Sequence, residues 1–120
     1  FVRAILTATG TPADNPPVTW YRQVRTPQQN VDNVSQLFLG TRIQCAQCHH
    51  HPFEKWSQDD YYSFAAFFAR VGRKPFENSD NGEPTEAVFV SRAGNVTHPN
   101  TQAVMKPAGL YGPKLELAAD

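Results

Sequence analysis

No run in these 120 residues is apolar and long enough to cross a bilayer as a helix, which takes about 20 residues. No membrane span is therefore expected. Charge of one sign is not in excess either: Lys plus Arg and Asp plus Glu stand at 11 each. With neither a basic stripe nor an acidic tail, nucleic acid is not an expected partner. There is no internal repeat and no low-complexity tract. No secretory leader is visible, and the chain opens on Phe1-Val2-Arg3-Ala4-Ile5-Leu6 without an initiator Met. The expectation is a mature or excised piece of a longer protein. Cysteine is scarce, at two residues, and both fall within one pentapeptide, so no thiol is left over to explain.

That pentapeptide is Cys45-Ala46-Gln47-Cys48-His49, continued by His50-His51-Pro52-Phe53. Cys-x-x-Cys-His is the attachment signature of c-type haem. Two thiols three residues apart on one helical turn share a face and add across the two vinyl groups of one haem. The histidine that follows is carried to the iron by the same turn and supplies the proximal nitrogen. One covalent haem c is the cofactor this pattern predicts, and it would add apolar surface to the core of a small domain.

Three other chemistries use the same residue types. A Cys-x-x-Cys serves as a dithiol redox pair, but the strand-then-helix setting of such pairs is not evident here. It also serves as half of a zinc site, with further ligands drawn from His49, His50, His51 and His98. The second ligand pair at the spacing of zinc motifs is missing. A plain disulfide or two idle thiols is the third.

Composition fits one domain over residues 1–120, with 40% hydrophobic residues, among them 8 Phe and 4 Tyr, to build a modest core. Phe1 to Thr9 reads as the tail of a helix that Gly10 ends. Thr11 to Pro17 is a loop. Val18 to Val24 is too short to classify, with Trp20 and Tyr21 read as core aromatics. Thr26-Pro27-Gln28-Gln29 is a helix start: Thr26 caps, Pro27 suits the first position and Gln29 completes a capping box. Val31, Val34, Leu37, Phe38 and Ile43 follow at helical spacing, interrupted by Gly40, where a missing side chain would let another surface approach. This helix delivers the chain into Cys45.

Past the motif, Ser57 caps a second strong helix with Asp59 and Asp60 in its first turn. Tyr61, Tyr62, Phe64, Phe67, Phe68 and Val71 make it aromatic on most faces, so it must be buried, until Gly72 closes it. Residues 73–86 read as an exposed loop. Ala87 to Arg92 has strand character, with Val96-Thr97 as a returning partner after the Ala93-Gly94-Asn95 turn. His98 to Thr101 and Met105 to Gly109 are irregular, and Pro113 to Asp120 opens a new element. The fold class expected is mainly α, with an irregular, partly β-hairpin C-terminal region.

Taken together these residues resemble the planctomycete-type cytochrome c-like domain, a family of unknown function. The likeness runs through Phe38-Leu39-Gly40, Ile43 to His49, His51-Pro52-Phe53, Lys55-Trp56, Asp60-Tyr61-Tyr62 and Ala65 to Phe68. It continues through Thr97 to Thr101 and Lys106-Pro107, and so covers most of the chain. Phe1 to Gly10 is similar to a helix earlier in that domain, and Leu115 to Asp120 to the junction before a second planctomycete-specific domain. The resemblance implies a small cytochrome c-like helical domain within a large exported protein, beside other cytochrome-like modules. It supplies no substrate. His50 departs from the Asp or Asn of the family and takes no ligand role from it.

The expected function is a c-type cytochrome domain that carries electrons. Cys45 and Cys48 anchor the haem, His49 ligates it, and Phe53, Trp56, Tyr61, Phe64 and Phe68 are candidates to line it. The iron's opposite face needs His, Met, water or nothing. His51 is too close to His49 to reach it, and is instead a candidate for a propionate or for a haem in another chain. His98 is the favoured sixth ligand and Met105 the alternative. Haem attachment implies a periplasmic, cell-envelope or extracellular location, with redox proteins or neighbouring haem domains as partners and a homo-oligomer as a further option. The rivals are a zinc-binding structural module on Cys45, Cys48 and histidines, and an open-site haem with peroxidase-like redox catalysis. Cell-surface or polysaccharide adhesion rests only on the exported context.

Overall fold

Local capping chemistry sets where the chain turns helical. The computed structural model describes residues 1–47, 57–77, 84–110, 113 and 115, with backbone alone at 44, 45, 76, 77 and 84. Among these the chain forms helices α1 (Val2–Leu6), α2 (Thr19–Gln23), α3 (Pro27–Phe38) and α4 (Gln58–Ala65), then strands β1 (Val71–Glu77) and β2 (Pro84–Val90). Short 3-10 turns lie at Pro16–Val18, Gln44–Gln47 and Ala66–Phe68. The fold is mainly helical with one antiparallel hairpin, as the sequence predicts. The chain divides into two compact units: Phe1–Arg25 with Val71–Ser91, and Thr26–Arg70 with Arg92–Asp120.

In the first unit, β1 and β2 pair antiparallel with Val71 opposite Val90 and Glu77 opposite Pro84. This corrects the reading of residues 73–86 as an exposed loop. Arg, Lys, Pro and Glu in that stretch look like loop composition, but a two-stranded ribbon tolerates them on its solvated face. Gly72 belongs to β1 and closes no helix. It faces Phe89, whose ring fills the space a side chain there would need. α1 ends at Leu6, earlier than expected, and none of its residues is buried. Five residues are too few to hold a helix by themselves, and its last carbonyl accepts a 2.7 Å bond from the Tyr21 hydroxyl. Gly10, at φ +97°, exchanges two backbone hydrogen bonds with Val88 at 2.7 and 2.8 Å. It therefore extends the ribbon and does not cap α1.

The stretch 18–24 resolves as a 3-10 turn running into α2. Helix C-termini leave carbonyls without partners. Here the Arg73 guanidinium reaches from β1 and donates to Tyr21 O at 2.9 Å and Val24 O at 3.0 Å. Burial, and then the nearby Arg25, lower the Arg73 pKa. Arg25 is itself tied to Glu86 by paired bonds of 3.0 and 3.1 Å. Burial pushes the Tyr21 phenol up to about 12, partly offset by the Arg73 charge. A raised phenol pKa leaves stability intact below pH 10, the ordinary value, and removes it as pH climbs toward 12. The unfolding midpoint is expected to fall over that window, and Tyr21→Phe to flatten the fall; an unchanged slope in a pH series of melts would refute this.

In the second unit the capping box expected at Thr26 is present, and the cap expected at Ser57 proves to be a full capping box with Asp60. Thr26 accepts from Gln29 N–H at 3.0 Å while the Gln29 side chain accepts from Thr26 N–H at 3.2 Å. Ser57 and Asp60 do the same for α4, at 3.1 and 2.8 Å. Val31 and Val34 are buried on α3 as its periodicity predicts, but Leu37 is 61% exposed, and Asn30 and Ser35 share the buried face. Asn30 is accommodated by donating its amide to Thr26 O at 3.1 Å. Gly40, at φ +68°, turns the chain past the helix so that Thr41 N–H reaches Ser35 O at 2.9 Å. It meets no approaching surface, so its role is the turn. Ile43 then drops into the core. α4 ends at Ala65, short of the expected Val71, and its aromatic run continues through the 3-10 turn.

Val96-Thr97 does not return to the 87–92 strand. Met105 N–H donates to Val96 O at 2.8 Å and Thr97 bridges Val104, closing a loop over residues 96–105. The carbonyl of Ser63 in α4 accepts from Ala108 N–H at 3.0 Å, which fastens the chain after this loop to the helix. No helix among the described residues is long and apolar enough to cross a membrane. The new element expected over 113–120 lies outside the described residues apart from Pro113 and Leu115.

Candidate functional site

Cys45 sits in the 3-10 turn Gln44–Gln47, directly after the buried Ile43. Ala46 N–H closes the turn on Ile43 O at 2.9 Å, and Ala46 has no exposed surface. A 3-10 turn repeats every three residues, the same interval that separates the two cysteines. Cys48, His49, His50, His51, Phe53 and Trp56 lie outside the described residues. So do most members of the zinc alternative, and among the described residues no group of three or more His, Cys, Asp or Glu is gathered for a metal ion.

The last carbonyl of the turn, on Gln47, is held twice. Gln58 Nε2 donates to it at 2.9 Å and the Tyr62 hydroxyl at 3.2 Å. Both donors come from α4, so the capping box at Ser57 fixes the helix whose first turns grip the chain beside Cys48. Tyr61, with no exposed surface, places its hydroxyl 3.1 Å from Asp32 Oδ1 on α3, where it donates. The Gln28 carbonyl and the Gln47 side-chain oxygen are within 3.5 Å of the same hydroxyl. A buried phenol that reaches a carboxylate is satisfied in place, which makes Tyr61 a bolt between α3, α4 and the Cys45 turn.

Of the other lining candidates, the described ones, Phe64 and Phe68, are buried. Phe64 and Phe68 stand 6.2 Å apart at 60°, and Tyr61 and Tyr62 5.1 Å apart at 74°. Phe67 departs from the group and is half-exposed. The structure thus brings Tyr61 to the turn that bears Cys45, and places Phe64 and Phe68 one and two helical turns further along the same segment.

His98 is 5% exposed, and its ring is engaged on both sides. Nδ1 accepts the backbone N–H groups of Asn100 at 3.1 Å and Thr101 at 3.3 Å. Nε2 stands 3.3 Å from Asp59 Oδ1 in the first turn of α4. The ring leans on Tyr62 at 5.8 Å. Met105 is buried. From residue types alone Asp32, Gln58 and Asn100 take no site role, Gln47 stands only as a spacer in the motif, and Asp59 only as a favourable charge in the first turn of α4. For Asp59 and Gln58 the signal was present in part, because the positions after a capping serine are where side chains meet incoming loops. Asp32, an acidic residue on a helix, gave none.

A family model described as PSCyt2, a protein of unknown function (DUF1549), matches residues 3–73. No curated protein and no solved structure matches the chain.

Proposed function

The chain belongs to the PSCyt2 family, and from that premise we propose that it is a c-type cytochrome domain carrying electrons on one covalent haem. The observation that carries the reading is the Cys45 to His49 pentapeptide, entered by a turn of matching three-residue repeat. The residues present fit the group. Two thiols and an adjacent imidazole form its donor set, and a buried aromatic segment lies on the helix tied to that turn. When bound, haem supplies an iron that gains and loses one electron.

The work of the chain's own residues is attachment, orientation and exclusion of water. Cys45 and Cys48 would hold the group through their sulfurs, as thioethers. His49 would supply an imidazole nitrogen to its iron. Tyr61, Phe64 and Phe68, with Phe53 and Trp56, would shield the group. Asp32 and Gln47 hold Tyr61 in place, and Gln58 and Tyr62 hold the Gln47 carbonyl. An exported setting and redox-protein partners belong to the same reading.

Intact mass of the chain, isolated from cells with c-type haem maturation, tests it. The expected mass is polypeptide plus one haem, with visible bands that survive acid-acetone extraction. An unmodified mass from such cells removes the proposal.

A further inference from the structure

We propose that His98 is a positioning residue that clasps the 98–103 loop onto the first turn of α4, and that it does not ligate iron; the second half rests on the haem reading. An imidazole nitrogen accepts only when it carries no proton. Nδ1 accepts two backbone N–H groups, so the neutral ring carries its proton on Nε2, the nitrogen that faces the Asp59 carboxylate. Iron takes a lone pair from a neutral imidazole. Offering Nε2 would move the proton to Nδ1, against two N–H donors, inside a ring that is almost wholly buried. Both hydrogen bonds would be lost and two backbone donors stranded.

What the clasp holds is visible in the same geometry. The loop closes through His98 N–H to Ala103 O and Gln102 N–H to His98 O, both at 2.9 Å. Gln102 is held at φ +63°, in the left-handed region that side-chain-bearing residues rarely adopt. A loop that keeps such a residue needs a fastener. From it Asn100 Nδ2 donates to Gln58 Oε1 at 3.0 Å, and Gln58 Nε2 donates onward to the Gln47 carbonyl. The chain of contacts thus runs from His98 to the backbone immediately before Cys48. Met105 is then the remaining protein candidate for the second axial position.

Two substitutions separate clasp from ligand. His98→Leu is expected to speed amide exchange at Asn100 and Thr101 about tenfold or more, as expected for the loss of their acceptor. His98→Asn presents a side-chain oxygen where Nδ1 was, able to accept from the residue two positions on, and should restore protection. It cannot replace imidazole on iron. In the haem-loaded chain His98→Asn is therefore expected to leave the ferric spin state and carbon monoxide binding to the ferrous form unchanged. A change in either overturns the proposal, as does unaltered exchange in His98→Leu. Where His98→Leu does not fold, the spectrum of His98→Asn decides by itself. A chain isolated without haem would end the cytochrome reading, yet the exchange comparison would still test the clasp.

Discussion

Replacing Cys45 and Cys48 together with serine is expected to leave no haem covalently bound, while His49→Ala keeps the attachment and changes the iron. The two results separate because the residues do different chemistry. Serine has no thiol to add to a vinyl group, so the double variant should show the bare polypeptide mass and lose its bands on acid-acetone extraction. Either cysteine alone provides one thioether, so each single variant should retain some attached haem at lower yield. His49→Ala retains both sulfurs and loses the axial nitrogen, so its mass should match the parent while its ferric spectrum moves toward high spin. A zinc module predicts a different pattern: no haem mass in any variant, and metal content that drops with each cysteine or histidine removed. Haem mass persisting in the double serine variant would show that attachment runs through other residues.

The fold of the second unit was legible where a local rule decides. Thr26 with Gln29 and Ser57 with Asp60 form their capping boxes within four residues, so nothing distant could override them. Val31 and Val34 followed from the 3.6-residue period. Leu37 did not, because period alone cannot say how wide the buried stripe is; on α3 it includes Asn30 and Ser35 instead. The hairpin partner was misassigned because strand pairing is a long-range choice. Val96 was nearer in sequence to the 87–92 strand, but Val71 to Glu77 supplied seven consecutive pairings. At the site, the motif and the burial of Tyr61, Phe64 and Phe68 were readable from residue types. The Gln47 carbonyl, held by Gln58 and Tyr62, was not, since a backbone acceptor carries no mark in the sequence. His98 shows the same limit from the other side. Its residue type suggests a ligand, and only the structure sets the N–H groups of Asn100 and Thr101 on Nδ1 and Asp59 Oδ1 3.3 Å from Nε2.

Gly94→Ala is expected to lower stability by roughly 3 kcal/mol, combining backbone strain with a steric clash. Gly94 lies at φ +144°, outside the range open to a side-chain-bearing residue, and the position of an added Cβ falls on the carbonyl oxygen of Ala69. Neither problem relaxes easily, because Ala69 O belongs to backbone, directly after the 3-10 turn that carries Phe68. Gly40→Ala is the matched control. It also has positive φ, at +68°, but nothing stands within 4 Å of the added carbon, so only the left-handed penalty of about 1 kcal/mol applies. For a domain with total stability of about 5–15 kcal/mol, the first change should lower the melting temperature by roughly 10 °C and the second by a few degrees. Equal shifts would mean that the Ala69 carbonyl yields, and that the end of the aromatic segment is free to move. The larger Gly94 effect would instead show a segment pinned at both ends: by the Ser57 capping box at its start and by the close approach of Gly94 at its finish. Pinning of that kind keeps Tyr61 and Tyr62 in register with the Cys45 turn. It follows that Gly94→Ala, though distant in sequence from the motif, should reduce haem loading along with stability, whereas Gly40→Ala should leave loading close to that of the parent chain.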